Sequence, residues 1–410
     1  MKGSRRVGIV ASVAAVALLA ACGSKGEAQP AAGGASGSLV IGGAVSLTGK
    51  TAREGVLTQE GYKLCEEKVN AKGGVKVGSA SMKLEIKYQD DTSKPDTAAQ
   101  LVDQFNDQGI KLVLGSYGSA NTEAQAAVIE RNNQVMVDSS GADDAIFQKG
   151  YKRTFAVLAP ASEYAASIVK AISDLATPKP TTMAVLSADD GFSKRAADGA
   201  VKTAKEKGFT LLETQYFPNG ATDVSSALNK IKGGNPQVVI GSVHLAEGVA
   251  IIKQSKELGI KPMGFGETVA PPTPDFVTAL GKDADGVLGS SQWTKSQSGT
   301  DDYFGNATQY DADIKTRFGH DAGYHNAEAS AACLAFVLAI QAAGSTDANK
   351  VRDALAALDV NTFFGKVKFD ANGQNTFRPM AVIQIQGGKM VTVWPKDSSE
   401  GPIVWPGTGS

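Results

Sequence analysis

From Leu39 onward, short apolar runs alternate with longer segments whose apolar positions recur at helical spacing. Runs of the first kind predict strands buried on both faces, and segments of the second kind predict amphipathic helices. Residues 39–45 read as a buried strand, and 54–70 as a helix with Leu57, Gly61, Leu64 and Cys65 on one face. The stretch from Asn70 to Gly74 ends that helix, because glycine supplies a left-handed cap. An alternating strand over 83–89 runs into the acidic turn Asp90-Asp91, followed by a helix over 97–108 and a short strand over 111–114 that stops at Gly115. Further strands are predicted at 134–138, 182–187, 210–216, 237–241 and 286–289, and helices at 121–133, 163–176, 192–207, 222–233 and 246–259.

Such alternation specifies an α/β fold with parallel sheets covered on both faces, and the strands are too many for one sheet of ordinary width. Two doubly wound lobes are expected, joined by a hinge of three crossings. The chain would cross first near 154–160, where Phe155 to Leu158 bridge the lobes, and again at Ser290 to Trp293. Helices over 302–318, 322–343 and 348–358 would return it to the first lobe. Residues 367–370 would cross a third time, and 380–386 with 390–394 would close the second lobe as an antiparallel pair. The expected division is 39–156 plus 292–360 for lobe 1, 157–291 plus 361–396 for lobe 2, and a tail over 397–410.

The first residues follow a different pattern. Lys2, Arg5 and Arg6 precede an apolar run from Val7 to Leu19, too short for a membrane span and followed by small residues. Residues 1–21 are therefore expected to be a signal peptide, and the protein to be exported. Leu19-Ala20-Ala21-Cys22 resembles the bacterial lipobox, in which the cysteine is acylated and becomes the new N-terminus. Lipid on Cys22 would hold the chain at the outer face of the cytoplasmic membrane or a periplasmic membrane surface, each buried methylene contributing about 0.8 kcal/mol. The Gly, Ala and Ser composition of residues 22–38 describes a flexible tether.

Composition narrows the partners. A formal net charge of -1 and a pI near 6.4 provide neither a basic footprint for nucleic acid nor a polybasic patch for anionic lipid. Membrane contact is left to Cys22. Export permits a disulfide between Cys65 and Cys333, and free buried thiols suit the same pattern.

Candidate ligand contacts lie where strands end. In open parallel sheets, ligands bind beyond the carboxyl ends of strands, where glycine allows close approach and the next helix offers free N–H groups. Residues 112–116 and 239–242 look alike in this respect, one in each expected lobe. In the loop Tyr117-Gly118-Ser119, Ser119 can cap the following helix or donate to an anion, and Gly118 leaves room for a carboxylate. Ser139, Ser140, Gly141 and Ala142 form a second small-residue loop beside it that would complete a carboxylate cradle, or serve as a plain turn. On the opposite wall, Asp190 would meet an ammonium while Phe192 closes over it; a plain helix cap by Asp190 is the alternative. Tyr164, His244 and Glu267 also fall at strand ends or helix starts.

Chemistry finds little support. The three histidines, His244, His320 and His325, lack metal-ligand spacing, and no H-E-x-x-H, G-x-S-x-G, G-x-G-x-x-G or Walker lysine occurs. Adjacent acids such as Asp143-Asp144, Asp189-Asp190 and Asp301-Asp302 sit in expected turns. No catalytic, metal or cofactor site is expected; the chain reads as a binder.

Several segments carry a family resemblance in the right order. They are Ile41-Gly42 with Ser46-Leu47-Thr48-Gly49; Gly61-Tyr62; Val69-Asn70 with Gly73-Gly74-Val75; Asp90-Asp91-Thr92 with Pro95; and Gly115 with Ser119. Ser226, Leu228, Ile231 and Lys232 follow, then Gln254 with Glu257-Leu258-Gly259, Gly286-Val287, Ala342 to Ser345, and Val351-Arg352 with Ala354-Leu355. Together they resemble the type I periplasmic binding proteins of the branched-chain amino acid group, in lipoprotein form. The resemblance implies a monomeric solute-binding component of an ATP-driven importer, closing around an amino acid or related amide and passing it to a permease with its ATPase. It also implies that the loops of Ser119 and of Ser139 to Ala142 hold the ligand's carboxylate and ammonium. The second lobe departs from the pattern, with Val243 where an aromatic is expected and Glu267 displaced by about one position, so small peptides and aromatic acids stay open as ligands. A sensor on the same fold is the alternative, and an exported amidase a more distant one.

Overall fold

A computed structural model describes residues 37–407; the leader, Cys22 and the first part of the tether lie outside the described residues. The first half of the molecule is built from β1 (Ser38–Val45), α1 (Ala52–Ala71), β2 (Val75–Val77), β3 (Ala80–Asp90), α2 (Pro95–Asp107), β4 (Leu112–Leu114), α3 (Ser119–Arg131), β5 (Val135–Asp138), α4 (Asp144–Phe147) and β6 (Thr154–Ala156). Its six strands run in the order β2-β3-β1-β4-β5-β6, all parallel except the β2/β3 pair. Residues of β4 and β5 are buried throughout, so their continuous apolar runs are what two helical layers over a parallel sheet require.

The second half begins with α5 (Ser162–Leu175) and continues through β7 (Thr182–Ala188), α6 (Gly191–Glu206), β8 (Thr210–Leu211), β9 (Gln215–Phe217), α7 (Ser225–Lys232), β10 (Val238–Ser242), α8 (Leu245–Glu257), β11 (Gly264–Glu267), α9 (Asp275–Leu280) and β12 (Leu288–Ser291). The chain then forms the hairpin β13 (Thr300–Asp301) and β14 (Gly305–Asn306), α10 (Ala307–Phe318), α11 (Tyr324–Ala343), α12 (Ala348–Ala356) and the hairpin β15 (Asp359–Thr362) and β16 (Gly365–Lys368). It ends with β17 (Ala381–Gln386) and β18 (Lys389–Trp394) on the second sheet, whose order is β18-β17-β12-β11-β10-β7-β8 with β9 also on β7. Beyond β18, Gln384 and Val404 exchange hydrogen bonds at 2.8 and 2.9 Å and Gly407 N donates to Met263 O at 2.8 Å, seating the tail on this sheet.

Several expectations are corrected. Residues 155 and 156 belong to β6, an edge strand beside β5, rather than to a free crossing. The strand expected over 210–216 is two short ones, and the strand expected over 286–289 is shifted to 288–291 because Gly286 turns at φ 86°. The helix expected from 302 begins at Ala307. Asn306 caps it reciprocally with Gln309, and the residues before it make the β13/β14 hairpin. Residues 365–368 pair in a separate hairpin with β15.

Three connections pass between the halves, and their hydrogen bonds tie them together. Ala159 N donates to Gln292 Oε1 at 3.0 Å and Gln292 Nε2 donates to Ala159 O at 3.2 Å. Arg378 donates to Gln292 O, and Asn375 Nδ2 to Val157 O at 2.9 Å. The most apolar long helix, α11, has a mean hydropathy of 1.4 over its richest window and is buried against α1 and β5. Cys65 of α1 and Cys333 of α11 are joined in a disulfide with a Cα separation of 6.3 Å.

Candidate functional site

The carboxyl ends of β4 and β5 in the first half face those of β7, β10 and β11 in the second. A cavity lies between them, lined by Tyr117, Gly118, Ser119, Ser140, Tyr324, His325 and Glu328 from the first side and Tyr164, Phe192, His244 and Val269 from the other. Its volume is about 10 Å³, room for roughly one water.

On the first side, Gly118 rather than Ser119 occupies the cap position of α3, at φ 92°, and no side chain caps that helix. The N–H groups of the first turn are thus left toward the cavity, where they suit an anion. No atom lies within 4 Å of a Cβ built on Gly118, but the positive φ itself favours glycine there. Ser119 Oγ accepts from Asp143 N at 3.1 Å and keeps its own proton to donate. Ser140 lines the cavity beside it, whereas Ser139 is buried with its hydroxyl 2.8 Å from that of Tyr62. Gly141 N donates to Asp138 Oδ2 and Ala142 O accepts from Ala161 N, each at 2.8 Å, so these two residues shape the loop from behind. Asp138 also accepts from Thr122 Oγ1, and burial outweighs these bonds and pushes its carboxyl up to about 6.

On the second side, Asp190 caps α6, accepting from Ser193 N and Ser193 Oγ at 2.9 Å and from Asn219 Nδ2 at 2.7 Å. It lies 3.5 Å from His244 Nε2. Burial pushes the imidazole down, but Asp190 outweighs it and holds His244 up at about 9. Burial likewise raises Asp190, yet His244 and the Ser193 donors bring it down to about 2. The pair is charged across the neutral range. Phe192 stacks edge-on against Tyr164 at 5.0 Å and tilts over His244 at 5.4 Å. Tyr117 meets the imidazole from the first half, its hydroxyl 3.3 Å from His244 Nδ1.

Seven residues singled out from sequence, namely Tyr117, Gly118, Ser119, Ser140, Tyr164, Phe192 and His244, thus come together around the cavity. Asp190 stands behind His244. Glu267 is elsewhere: it is fully buried beneath α8, where a Cβ on Gly248 would approach its Oε2 to 2.5 Å. Neither of its carboxyl oxygens has a hydrogen-bond partner, and burial raises its pKa well above the ordinary range. Tyr324, His325, Glu328 and Val269 were missed as site residues. The signal for three of them was available, since Tyr324, His325, Asn326 and Glu328 place polar groups at the start of an otherwise apolar helix.

Comparison with known proteins decides the family. The periplasmic binding protein family model matches residues 38–389. The chain belongs to that family. It is a family of solute-binding proteins that work outside the cytoplasm. Among its relatives, Leu/Ile/Val-binding protein homolog 7 of Brucella abortus (strain 2308) is 26% identical over 385 residues, covering 90% of this chain and 94% of the relative. A leucine binding protein from Thermotoga maritima shares the fold with a TM-score of 0.77 at 19% identity, over 87% of this chain and 98% of its own. A branched-chain amino acid transporter substrate binding protein of Streptococcus pneumoniae, solved with isoleucine, gives 0.75 at 20% identity, over 90% and 100%. The fold is accordingly that of the type I periplasmic binding proteins.

Proposed function

We propose that this chain captures an amino acid or a related small amide between its two halves and hands it to the permease of an ATP-driven importer. The observation that carries this reading is the cavity walled by strand ends of both sheets, with the uncapped N-terminus of α3 on one side and the His244–Asp190 pair on the other. The relatives named for leucine, isoleucine and valine binding support the choice of ligand class. In this proposal Ser119 and the first amides of α3 hold the ligand's carboxylate, with Ser140 lining the wall beside them, while Tyr164, Phe192 and His244 close over it. A cavity with room for one water is too narrow for an amino acid, so uptake requires the halves to part about the three connections. A ligand touching both sides then favours the closed form. The lobes proposed are 39–156 plus 292–368 and 157–291 plus 369–396, the second boundary moved from 360 because the β15/β16 hairpin keeps residues 359–368 together, working as a monomer without cofactor or catalysis. Lipid on Cys22 and the tether through Ser38 would keep this binder beside its membrane partner.

The experiment is a thermal-shift panel of amino acids and small amides on the mature chain. A ligand at 100 times its Kd adds about 2.7 kcal/mol to native stability, a clear rise in melting temperature. Ser119→Trp is expected to abolish the rise. A panel without a hit, or an unchanged response in that variant, would refute the assignment.

A further inference from the structure

Within the cavity wall, α11 presents two polar atoms that the fold leaves unmatched. Glu328 Oε2 and His325 Nε2 make no hydrogen bond, although each side chain is only 1% exposed and both residues line the cavity. They stand three residues apart and so share one face of the helix. Their other polar atoms are held: Glu328 Oε1 accepts from Ser140 Oγ at 3.3 Å and lies 3.2 Å from His325 Nδ1. Tyr117 packs edge-on against the His325 ring at 5.3 Å, and Tyr324 lies 4.0 Å from it. The carboxyl is therefore oriented from two sides with one oxygen to spare. A buried acceptor without a partner is costly, and such groups in native proteins call for a specific explanation.

Other acids near the cleft are otherwise engaged or placed elsewhere. Asp190 is occupied by Ser193, Asn219 and His244, and Glu267 lies beneath α8. Among the described residues that line the cavity, Glu328 is the one carboxyl. Through Ser140 it adjoins the loop proposed to hold the ligand's carboxylate.

We propose that Glu328 is a specificity-determining residue whose free Oε2 receives a nitrogen donor of the ligand, either a protonated amine or a primary amide. The proposal rests on the cleft-binding reading above. It places the nitrogen subsite on α11 in the first half rather than at Asp190 on the opposite wall, where the sequence suggested an ammonium contact. His325 Nε2 provides the second contact to the same nitrogen or its neighbour. A ligand with carboxylate and nitrogen on adjacent atoms meets Ser119 and Glu328 through the shared Ser140 wall.

The test uses the mature chain and calorimetric titration with the standard amino acids, their primary amides and their desamino acids. At least one nitrogen-bearing probe is expected to bind, and its desamino counterpart to bind roughly 10- to 100-fold more weakly. Burial and the neighbouring Asp138 raise the unliganded Glu328 carboxyl well above the ordinary range, so an ammonium ligand ionises it on binding. Glu328→Gln keeps an acceptor but cannot ionise, so an ammonium ligand should lose a similar factor while an amide is spared. Glu328→Met removes the acceptor and should weaken both. Desamino acids binding as tightly as their parents, or wild-type affinity in both variants, would overturn the assignment of Glu328 while leaving the cleft in place. Absence of binding by every probe to the wild-type chain would instead overturn the cleft-binding reading, and this proposal with it.

Discussion

Burial without a partner is the clearest physical anomaly at the scale of single residues, and Glu267 shows its cost. Its carboxyl keeps its proton in the folded chain because burial, aided by Glu247, raises its pKa well above the ordinary value. In the unfolded chain it ionises at the ordinary value. As pH rises past that value the unfolded state alone loses the proton, so this group's contribution to stability falls with rising pH until the folded pKa is reached. Glu267→Met, similar in length and free of polar atoms, is expected to stabilise the protein by about 1–3 kcal/mol near neutral pH. The gain should shrink below pH ~4.5, where both states hold the proton. Urea unfolding of both chains at several pH values measures it, and ligand affinity should not change. Sequence reasoning placed Glu267 in the site because it ends a strand. It erred because alternate residues of a strand face opposite sides of the sheet, and this one faces α8. Ser119 and His244 line the cavity for the converse reason: loops beyond parallel strand ends face the cleft whatever their local turn geometry.

Elements were mostly legible, and the failures came from tertiary context. Strands such as β4 and β10 announce themselves by short apolar runs, and α6 by its spacing. Past its polar first turn the helix α11 is apolar nearly all round, which hydropathy alone cannot separate from a membrane span. In the structure its surroundings are protein. Gly61 of α1 brings the two helices so close that a Cβ would lie 2.2 Å from Asn326 O, and Ser330 Oγ donates to Gly61 O at 2.7 Å. Asn326 Nδ2 donates to Leu57 O at 2.9 Å along the same seam. Gly61→Ala should therefore force the helices apart and destabilise the protein by about 1–3 kcal/mol, despite alanine's better helix propensity. Thermal denaturation reads the loss. Reducing the Cys65–Cys333 bridge, which spans 268 residues of sequence across this seam, should cost about 2–5 kcal/mol. A stabilised Gly61→Ala chain would show that the seam is not closely packed.

For the whole molecule, the question is what holds the two halves closed and what lets them part. Polar contacts cross the mouth: Arg53 Nε meets Asp275 Oδ2 at 2.6 Å, Lys50 Nζ donates to Asn219 Oδ1 at 3.3 Å, and Arg195 Nε lies 3.6 Å from Asp143 Oδ1. The Arg53 and Asp275 side chains are 35% and 40% exposed, so their pair is worth at most about 1 kcal/mol and is weakened by salt. The hinge differs in kind. Gln292 is 1% exposed and satisfies both backbone groups of Ala159, while Arg378 donates to its carbonyl oxygen. Gln292→Ala strands a buried N–H and a buried C=O, and is expected to cost about 2–5 kcal/mol in global stability. Arg53→Ala touches only the mouth. It should leave the melting temperature nearly unchanged, enlarge the ligand-free radius of gyration in solution scattering, and weaken ligand binding by the factor through which the closed population falls. Added ligand should restore the compact radius in Arg53→Ala at saturation, because the ligand itself bridges the halves. High salt should mimic the variant in the wild-type chain. If Arg53→Ala lowers stability as much as Gln292→Ala does, the mouth contacts belong to the folding core, and movement about the three connections is not how the cleft opens.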